Sequence, residues 1–434
     1  MSKKNEQISW SAIIPLIGGL PLAMEQVFGT KPEFILSWSP FQHNDRHYVK
    51  YMRTHGWKGK YYVLDHVGES VIPDVTSEFS DEEIPYVDVI GGTPPCAGLS
   101  SLSVSSNADS AINDWMLNAA EFVLGKCKPK IYWFENAPRL GTEKGKPVAD
   151  KLLNIAKKYG YSFLIYSTES RLHGNCQIRP RTFGFFFKND YFNDSINILD
   201  DIPHVSGNFE DYMTSLAERI KDKEKTLMDE PINKCNPAED AYYKYCYEHV
   251  GAESHRDFIE KLCTYEKSTN LIEKSIEFGN HDFEEMAKWF DAHGDERIAR
   301  RMRYIKTKVD DGKGYWSHGI TIARGQTPAF IGVMPVSLVH PFECRYITFR
   351  EGLSLMGFPE DFELDSNEPW RCANHICQNV PVGTAADMVK EIVKWIHNPH
   401  KNSFDAVYAV QRNKQRDIQI RESASSKIDD SLFG

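Results

Sequence analysis

The sequence predicts an α/β fold, a mostly parallel β-sheet with helices on both faces. Short apolar runs recur through residues 1–188, namely SAIIPLI, EFILSW, YYVLDHV, YVDVI, IYWFE, SFLIYS and RTFGFFF. Strands buried on both faces read as such near-continuous runs rather than as alternating ones. Between several of them lie stretches with helical spacing, INDWMLNAAEFVLGKC and VADKLLNIAKKY. Strands alternating with amphipathic helices are the pattern of a parallel sheet covered on both sides.

Taken in order, the first run, IIPLIGGLPLAM, follows two lysines and superficially resembles a signal-peptide core. Gly18, Gly19 and two prolines interrupt it, and Glu25 follows without a convincing small-residue cleavage site. It reads as a buried strand entering a turn. YVDVI runs into GGTPPCAGLSSLS, residues 91–103, where Pro94 and Pro95 stiffen the turn. Ligands of parallel sheets bind at the carboxyl ends of strands, so this turn lies on the working edge. IYWFE closes on the same edge with FENAPR, and RTFGFFF is preceded by GNCQIRPR.

After Lys188 the texture changes. Residues 189 to about 310 are polar, acidic and helical in pattern (DYMTSLAERIKDK, SHRDFIEKLCTY, DFEEMAKWFDAHG), ending in RIARRMRYIKTK with six positive charges and no acid. Strand-like pieces follow, GYWSHGITIA and AFIGVM. From residue 341 the earlier character returns, and TAADMVKEIVKWI makes an amphipathic helix. The organisation is a catalytic domain, 1–188 with 341–400, interrupted by a mostly helical insert at 189–340. Residues 401–434 read as a loose polar tail.

Charge and cysteine usage narrow the class. The 434 residues carry a formal net charge of −10, an unpromising balance for a nucleic-acid binder, but the basic run shows that distribution matters more than the sum. Nine cysteines, an odd number with no CxxC pair, indicate a reducing compartment without disulfides and give no reason to expect a metal site. No segment approaches the ~20 apolar residues that span a bilayer. The expectation is a cytoplasmic (or nuclear) protein away from membranes. The sequence specifies no oligomeric state.

Three stretches carry chemistry. Cys96 alone is weak, since most cysteines are small core residues. Its setting raises its standing: glycines before it permit close approach by a ligand, prolines fix the turn, and Ala97 and Gly98 leave the sulfur accessible. Glu135 and Asn136 close an apolar strand. They read either as a cap and a solvated acid or as a carboxyl in a partly desolvated site, able to donate a proton. Arg179 and Arg181 share one face of an extended chain, either as surface arginines or as ligands for base or phosphate oxygens.

Together, PPC, ENAP, QIRPR, RYITFREGLSLMGFP and QNVPVGTA, in this order, resemble the successive motifs of DNA (cytosine-5) methyltransferases over residues 10–190 and 340–395. The resemblance implies a Rossmann-like methyltransferase sheet and places the insert where that family carries its target-recognition domain. It implies Cys96 as the nucleophile at carbon 6 of a flipped cytosine, Glu135 at ring nitrogen 3, Arg181 at the exocyclic oxygen, Arg179 supporting the cysteine turn and Asn136 shaping the pocket. The small residues after Cys96 suit a mobile loop. For S-adenosylmethionine, or a modified analogue of it, the resemblance implies contacts from Ile14, Gly18, Gly19, Trp38, Asp65, Pro95 and Asn379. Double-stranded DNA is the implied partner, with Arg297, Arg300, Arg301 and Arg303 of the basic run and Arg324 as its candidate contacts, and Tyr315 and Trp316 as stacking candidates.

The cofactor motifs depart from the family. Where it has a glycine-rich FxGxGG turn, this chain has Ile14 for the Phe and Leu16 for the first Gly. Ser37 stands where a Glu for the ribose hydroxyls is usual, Ala97 replaces a Gln, and Gln378 replaces a Gly. Four readings stay open: methyl transfer to carbon 5 of cytosine in DNA, transfer of another group from a modified donor, a catalytically inactive DNA-binding relative, and modification of transfer RNA.

Overall fold

The computed structural model describes residues 7–64, 84–99, 110–200, 206–313, 319–332, 334–364, 369–401, 403–413 and 417–422. Asp65, Tyr315, Trp316 and most of the small-residue loop after Cys96 lie outside them. Nine strands form the central sheet of the described residues: β1 (Trp10–Ile13), β2 (Phe34–Trp38), β3 (Lys60–Leu64), β4 (Val89–Gly92), β5 (Ile131–Asn136), β6 (Tyr161–Glu169), β7 (Pro180–Lys188), β8 (Tyr408–Arg412) and β9 (Asp417–Glu422). Their order is β9-β8-β6-β7-β5-β4-β1-β2-β3. Pairing is parallel throughout, except that β7 runs antiparallel to both β5 and β6, and β9 to β8. The expected α/β class is what the chain adopts.

Alternate side chains along each strand feed opposite faces. Trp133, Phe183, Phe185 and Leu164 join one apolar cluster with Leu20 and Met24 of α1 (Gly19–Phe28), Tyr48 and Met52 of α2 (Gln42–Thr54), and Val389, Ile392 and Trp395 of the amphipathic helix 382–397. Tyr132, Phe134, Phe163 and Phe186 face the other way. They meet Met116 and Ala119 of α3 (Asp114–Phe122) and Val148 and Leu152 of α4 (Lys146–Lys158). Phe186 stacks on Phe163 at 4.4 Å and on Tyr132 at 5.6 Å.

The insert has a third cluster of its own, built from Tyr242, Tyr245, Phe258, Ile272, Phe290, Met302 and their neighbours. Five helices supply most of it, after α5 (Phe209–Ile220), whose Phe209 and Met213 instead join the sheet's core. They are α6 (Ala241–His249), α7 (His255–Leu262), α8 (Leu271–Phe278), α9 (Phe283–Ala292) and α10 (Glu296–Asp310). The chain then returns through α11 (Phe349–Leu355), α12 (Pro369–Gln378) and α13 (Val382–His397). The TFRE stretch starts α11 with a capping box: the Glu351 N–H donates to Thr348 Oγ1 and the Thr348 N–H to Glu351 Oε2.

Four expectations change. The first run stops being a strand at Ile13, because Ile14 (φ 47) and Leu16 (φ 53) take left-handed backbone conformations. Within AFIGVM no described residue is in a strand. Phe330 has its N–H bonded to the Gln177 side chain and its carbonyl held by Arg179, so a ladder has neither group to use. Among the described residues of GYWSHGITIA, the strand is confined to Thr321–Ile322, which pair with Thr269–Asn270. The expected loose tail is in part structural: β8 adds in parallel to β6, with Ala409 feeding one core and Tyr408 and Val410 the other. None of the helices among the described residues is long and apolar enough to cross a membrane.

Phe186 is enclosed on every side, so Phe186→Ala is expected to cost about 3–5 kcal/mol. Urea unfolding midpoints measure this; a loss below about 1 kcal/mol would contradict the packing described.

Candidate active site

The carboxyl ends of β1, β4 and β5 are in register, Ile13 beside Gly92 and Gly92 beside Phe134. The turn that leaves β4 therefore opens next to the residues that close β5. Cys96 sits there half-buried, its carbonyl accepting from the Leu99 N–H at 3.0 Å. Asn136 anchors the turn from below: its side-chain amide reaches the Pro94 carbonyl at 3.5 Å, and its own oxygen accepts from the Ala137 N–H at 2.9 Å. Burial and the Glu135 carboxylate push the Cys96 thiol above its ordinary value, while Arg181 and Arg179 pull the other way. At rest the sulfur keeps its proton.

Antiparallel pairing of β7 with β5 sets Thr182 opposite Asn136, which brings Arg181 alongside Glu135. The two form an ion pair at 2.5 Å, with Glu135 3% and Arg181 11% exposed. This carboxylate is desolvated and held by charge, so the solvated-cap reading is excluded. Arg179 has a different role from the one expected. It is fully buried, and its guanidinium donates to the carbonyls of Phe330, Cys377 (2.7 Å) and Asn379 (2.6 Å). It clamps the insert and the QNVPV turn to the sheet, and its charge reaches Cys96 from there. Burial lowers its affinity for a proton to about 9, a cost that the three carbonyls offset.

The candidate DNA contacts divide. On α10, Arg297 and Arg300 are exposed and Arg301 is half-buried beside Tyr242. Arg303 is taken up by two acids of the preceding helix, Asp291 at 2.6 Å and Glu284 at 3.4 Å. Arg324 lies 4.5 Å over the Tyr265 ring and pairs with Glu210 at 2.9 Å, as does Arg256 at 2.8 Å. That network joins α5, α7 and the strand at 321–322, so Arg324 is occupied inside the protein rather than presented to a phosphate.

The expected cofactor residues gather at the end of β1, in an arrangement the sequence did not disclose. Gly18 (φ 108) turns the chain into α1, where any Cβ would collide with the Tyr48 ring. The Gly19 N–H donates to Asn379 Oδ1 at 3.1 Å, and the other end of that amide donates to the His375 carbonyl, so backbone engages both ends. Pro95 is half-buried in the cysteine turn. Ile14 and Trp38 are 0% exposed and Leu16 is 7% exposed, all in the apolar cluster with Leu99 and Met116. Trp115 packs edge-on against Trp38 at 5.7 Å and Phe41 at 5.0 Å.

Beneath this lies Asp45, which sequence reasoning missed because an acid in the first turn of an amphipathic helix reads as solvated. Its carboxyl is wholly buried. It accepts from the Leu16 N–H (3.0 Å) and the Tyr61 hydroxyl (3.3 Å) and is hydrogen-bonded to the Ser37 hydroxyl. Left-handed backbone at a leucine costs roughly 1–2 kcal/mol. Burial of its side chain returns roughly 1.5–3 kcal/mol, and the N–H bond to Asp45 adds about 0.5–1.5 kcal/mol. The strained turn is therefore held on balance by packing and by Asp45.

Burial pushes the Asp45 pKa up to about 8, so it is protonated at neutral pH. Between the ordinary carboxylate range and about pH 8 the native state binds one proton more than the unfolded chain, and stability falls as pH rises. Asp45→Asn keeps the acceptor for Leu16 and abolishes this slope. Relative to wild type, the variant should gain up to about 1.4 kcal/mol per pH unit between pH 5 and 8. Denaturation midpoints across that range measure it, and parallel pH profiles for the two proteins would refute the assignment.

Comparison with known proteins follows the same outline. A curated relative, the type II methyltransferase M.DdeI of Desulfomicrobium norvegicum, is 22% identical over 399 residues, covering 86% of this chain and 89% of that protein. Among solved structures, a prophage-encoded DNA modification methyltransferase (E. coli) aligns with a TM-score of 0.52 at 16% identity, covering 90% of this chain and 100% of its own. The Entamoeba histolytica methyltransferase EhMeth aligns with a TM-score of 0.52 at 12% identity, covering 90% and 99%. Both likenesses are of fold. The family is decided by the sequence profile of C-5 cytosine-specific DNA methylases, which matches residues 54–394 and so most of the chain; the protein belongs to that family.

Proposed function

We propose that the chain carries out cytosine chemistry at carbon 5 in double-stranded DNA, through a covalent bond between Cys96 and carbon 6 of the base. The observation that carries this reading is the desolvated Glu135–Arg181 pair at the end of β5, beside the β4 turn that bears Cys96 and close enough for its charges to act on the thiol. Carbon 5 of cytosine is a weak nucleophile until a thiolate adds at carbon 6. That addition needs negative charge to be absorbed at ring nitrogen 3, where Glu135 would hydrogen-bond or donate a proton, while Arg181 would hold the exocyclic oxygen. Carbon 6 of a base stacked in a duplex is not open to a thiol, so the target would be flipped out. Arg297, Arg300 and Arg301 on α10 would grip phosphates and position the helix without reading sequence. In the reaction for which the family is known, carbon 5 then takes a methyl group, its proton leaves, and the thiolate is eliminated.

S-adenosylmethionine is the donor that family membership implies, and it would supply that methyl group. The described residues at its expected position do not fit it. Ile14 and Trp38 are sealed, Leu16 fills the glycine position, and Ser37 turns to Asp45 instead of offering a carboxylate. No step is drawn through the donor.

The cytosine half is testable without it. Adding the thiolate at carbon 6, taking a solvent proton at carbon 5, releasing the original hydrogen and eliminating the thiolate exchanges that hydrogen with water. Mixed-sequence duplex DNA tritiated at cytosine carbon 5 should release tritium with wild type and not with Cys96→Ala. Glu135→Gln should slow release roughly 100- to 10,000-fold. Because the resting thiol is protonated, release should accelerate by up to about tenfold per pH unit from neutral towards alkaline. Undiminished release by Cys96→Ala would end the proposal.

A further inference from the structure

We infer that this chain has closed its donor cleft with its own side chains and does not hold S-adenosylmethionine there, so that by itself it engages cytosine without methylating it. The inference builds on the proposed cytosine chemistry, although the two can fail separately.

Four observations converge on one volume at the ends of β1 and β2. The side chain of Leu16 occupies the position where a cofactor-binding turn needs none, and it is buried to 7% exposure against Trp38 and Ile14. The Trp38 ring, 0% exposed, is shut in edge-on by Trp115 at 5.7 Å and Phe122 at 6.3 Å, leaving no open face for an adenine to stack on. Phe41 backs Trp115 at 5.0 Å, so the indole is itself held in place. The carboxylate that a ribose diol would require is absent from this strand end. Ser37 stands there, fully buried, and its hydroxyl is bonded to Asp45, also fully buried.

These changes support one another. The Asp45 carboxyl fixes the Leu16 N–H and thereby the left-handed turn that points the leucine inward, while the same carboxyl engages the hydroxyl of Ser37. Here Leu16 and Trp38 are packed as in a core and Ser37 is hydrogen-bonded to Asp45, while Trp38 Nε1 is buried without a hydrogen-bond partner. The cytosine side, a few residues away at β4 and β5, keeps its thiol, carboxylate and arginine.

The test measures donor binding and base capture in the same preparation. Equilibrium dialysis with radiolabelled S-adenosylmethionine is run on wild type, alone and with mixed-sequence duplex DNA. No saturation up to about 1 mM is expected in either condition. The variant Leu16→Gly/Ser37→Glu/Trp115→Ala, which reopens the cleft, should bind the donor at least roughly tenfold more tightly. Saturable wild-type binding well below that concentration, or donor-derived label appearing in cytosine, would overturn the inference. If the triple variant does not fold, the wild-type dialysis still decides. In parallel, duplexes carrying 2-pyrimidinone, whose carbon 6 accepts a thiolate without any group transfer, are incubated without donor and analysed by intact mass. A Cys96-linked adduct beside absent donor binding supports both readings. Absence of the adduct removes the proposed cytosine chemistry while leaving the dialysis result, and the closed cleft, intact.

Discussion

One buried guanidinium organises the molecule. Arg179 leaves the start of β7, pairs with no carboxylate among the described residues, and donates to three backbone carbonyls, from Phe330 in the insert and from Cys377 and Asn379 in the closing turn. Segments 151 to 200 residues apart in sequence are thus fixed to one side chain. Asn379 passes the constraint on by holding the Gly19 N–H, which sets the entry of α1 behind β1. A lysine offers a single point charge where this geometry uses a planar fork of donors. The insert, the closing turn and the glycine turn are tied to one another through this clamp.

The two halves of the sheet edge are built on opposite principles. At β4 and β5, charge is kept in a desolvated place: Glu135 and Arg181 neutralise one another until something displaces them. At β1 and β2, charge is suppressed: Asp45 is buried deeply enough to stay protonated, its carboxyl hydrogen-bonded to the Ser37 and Tyr61 hydroxyls and the Leu16 N–H beside an aromatic and aliphatic cluster. An edge that handled a zwitterionic, sugar-bearing ligand would have reason to place polar groups facing outward at both halves. This one keeps a charged pair at β4 and β5, and that pair is desolvated.

Much of this was legible in advance, for identifiable reasons. The strands of the sheet are continuous apolar runs, and α4 and α13 have a full helical stripe, so period and composition gave their type directly. Cys96, Glu135, Asn136 and Arg181 announced themselves through short motifs at strand ends. Arg179 was found by the same motif but assigned the wrong partners, because its neighbours are backbone carbonyls that no side-chain pattern encodes. Asp45 gave no signal: whether an acid in a helix's first turn is solvated or sealed depends on the strand it packs beneath. Arg303 and Arg324 looked free because their acids, Asp291, Glu284 and Glu210, are distant in sequence or belong to other helices. The β8 and β9 strands were missed because polar and charged residues crowd the stretch that holds them, YAVQRNKQRDIQIRE. Only pairing with β6 makes them regular.

That pairing has a consequence for how the protein is made. Strand β6 must wait for a neighbour that emerges from the ribosome roughly 240 residues later, and α13, which roofs Leu164 and Trp133 on one face, is nearly as late. At about 5–20 residues per second, the exposed edge and bare face of β6 persist for some tens of seconds in each newborn chain. During that interval the helical insert, whose contacts are mostly local, can complete its own core. The insert therefore can stand folded while the sheet beside it is still unfinished, and nascent-chain chaperones have a defined window and a defined surface on which to act.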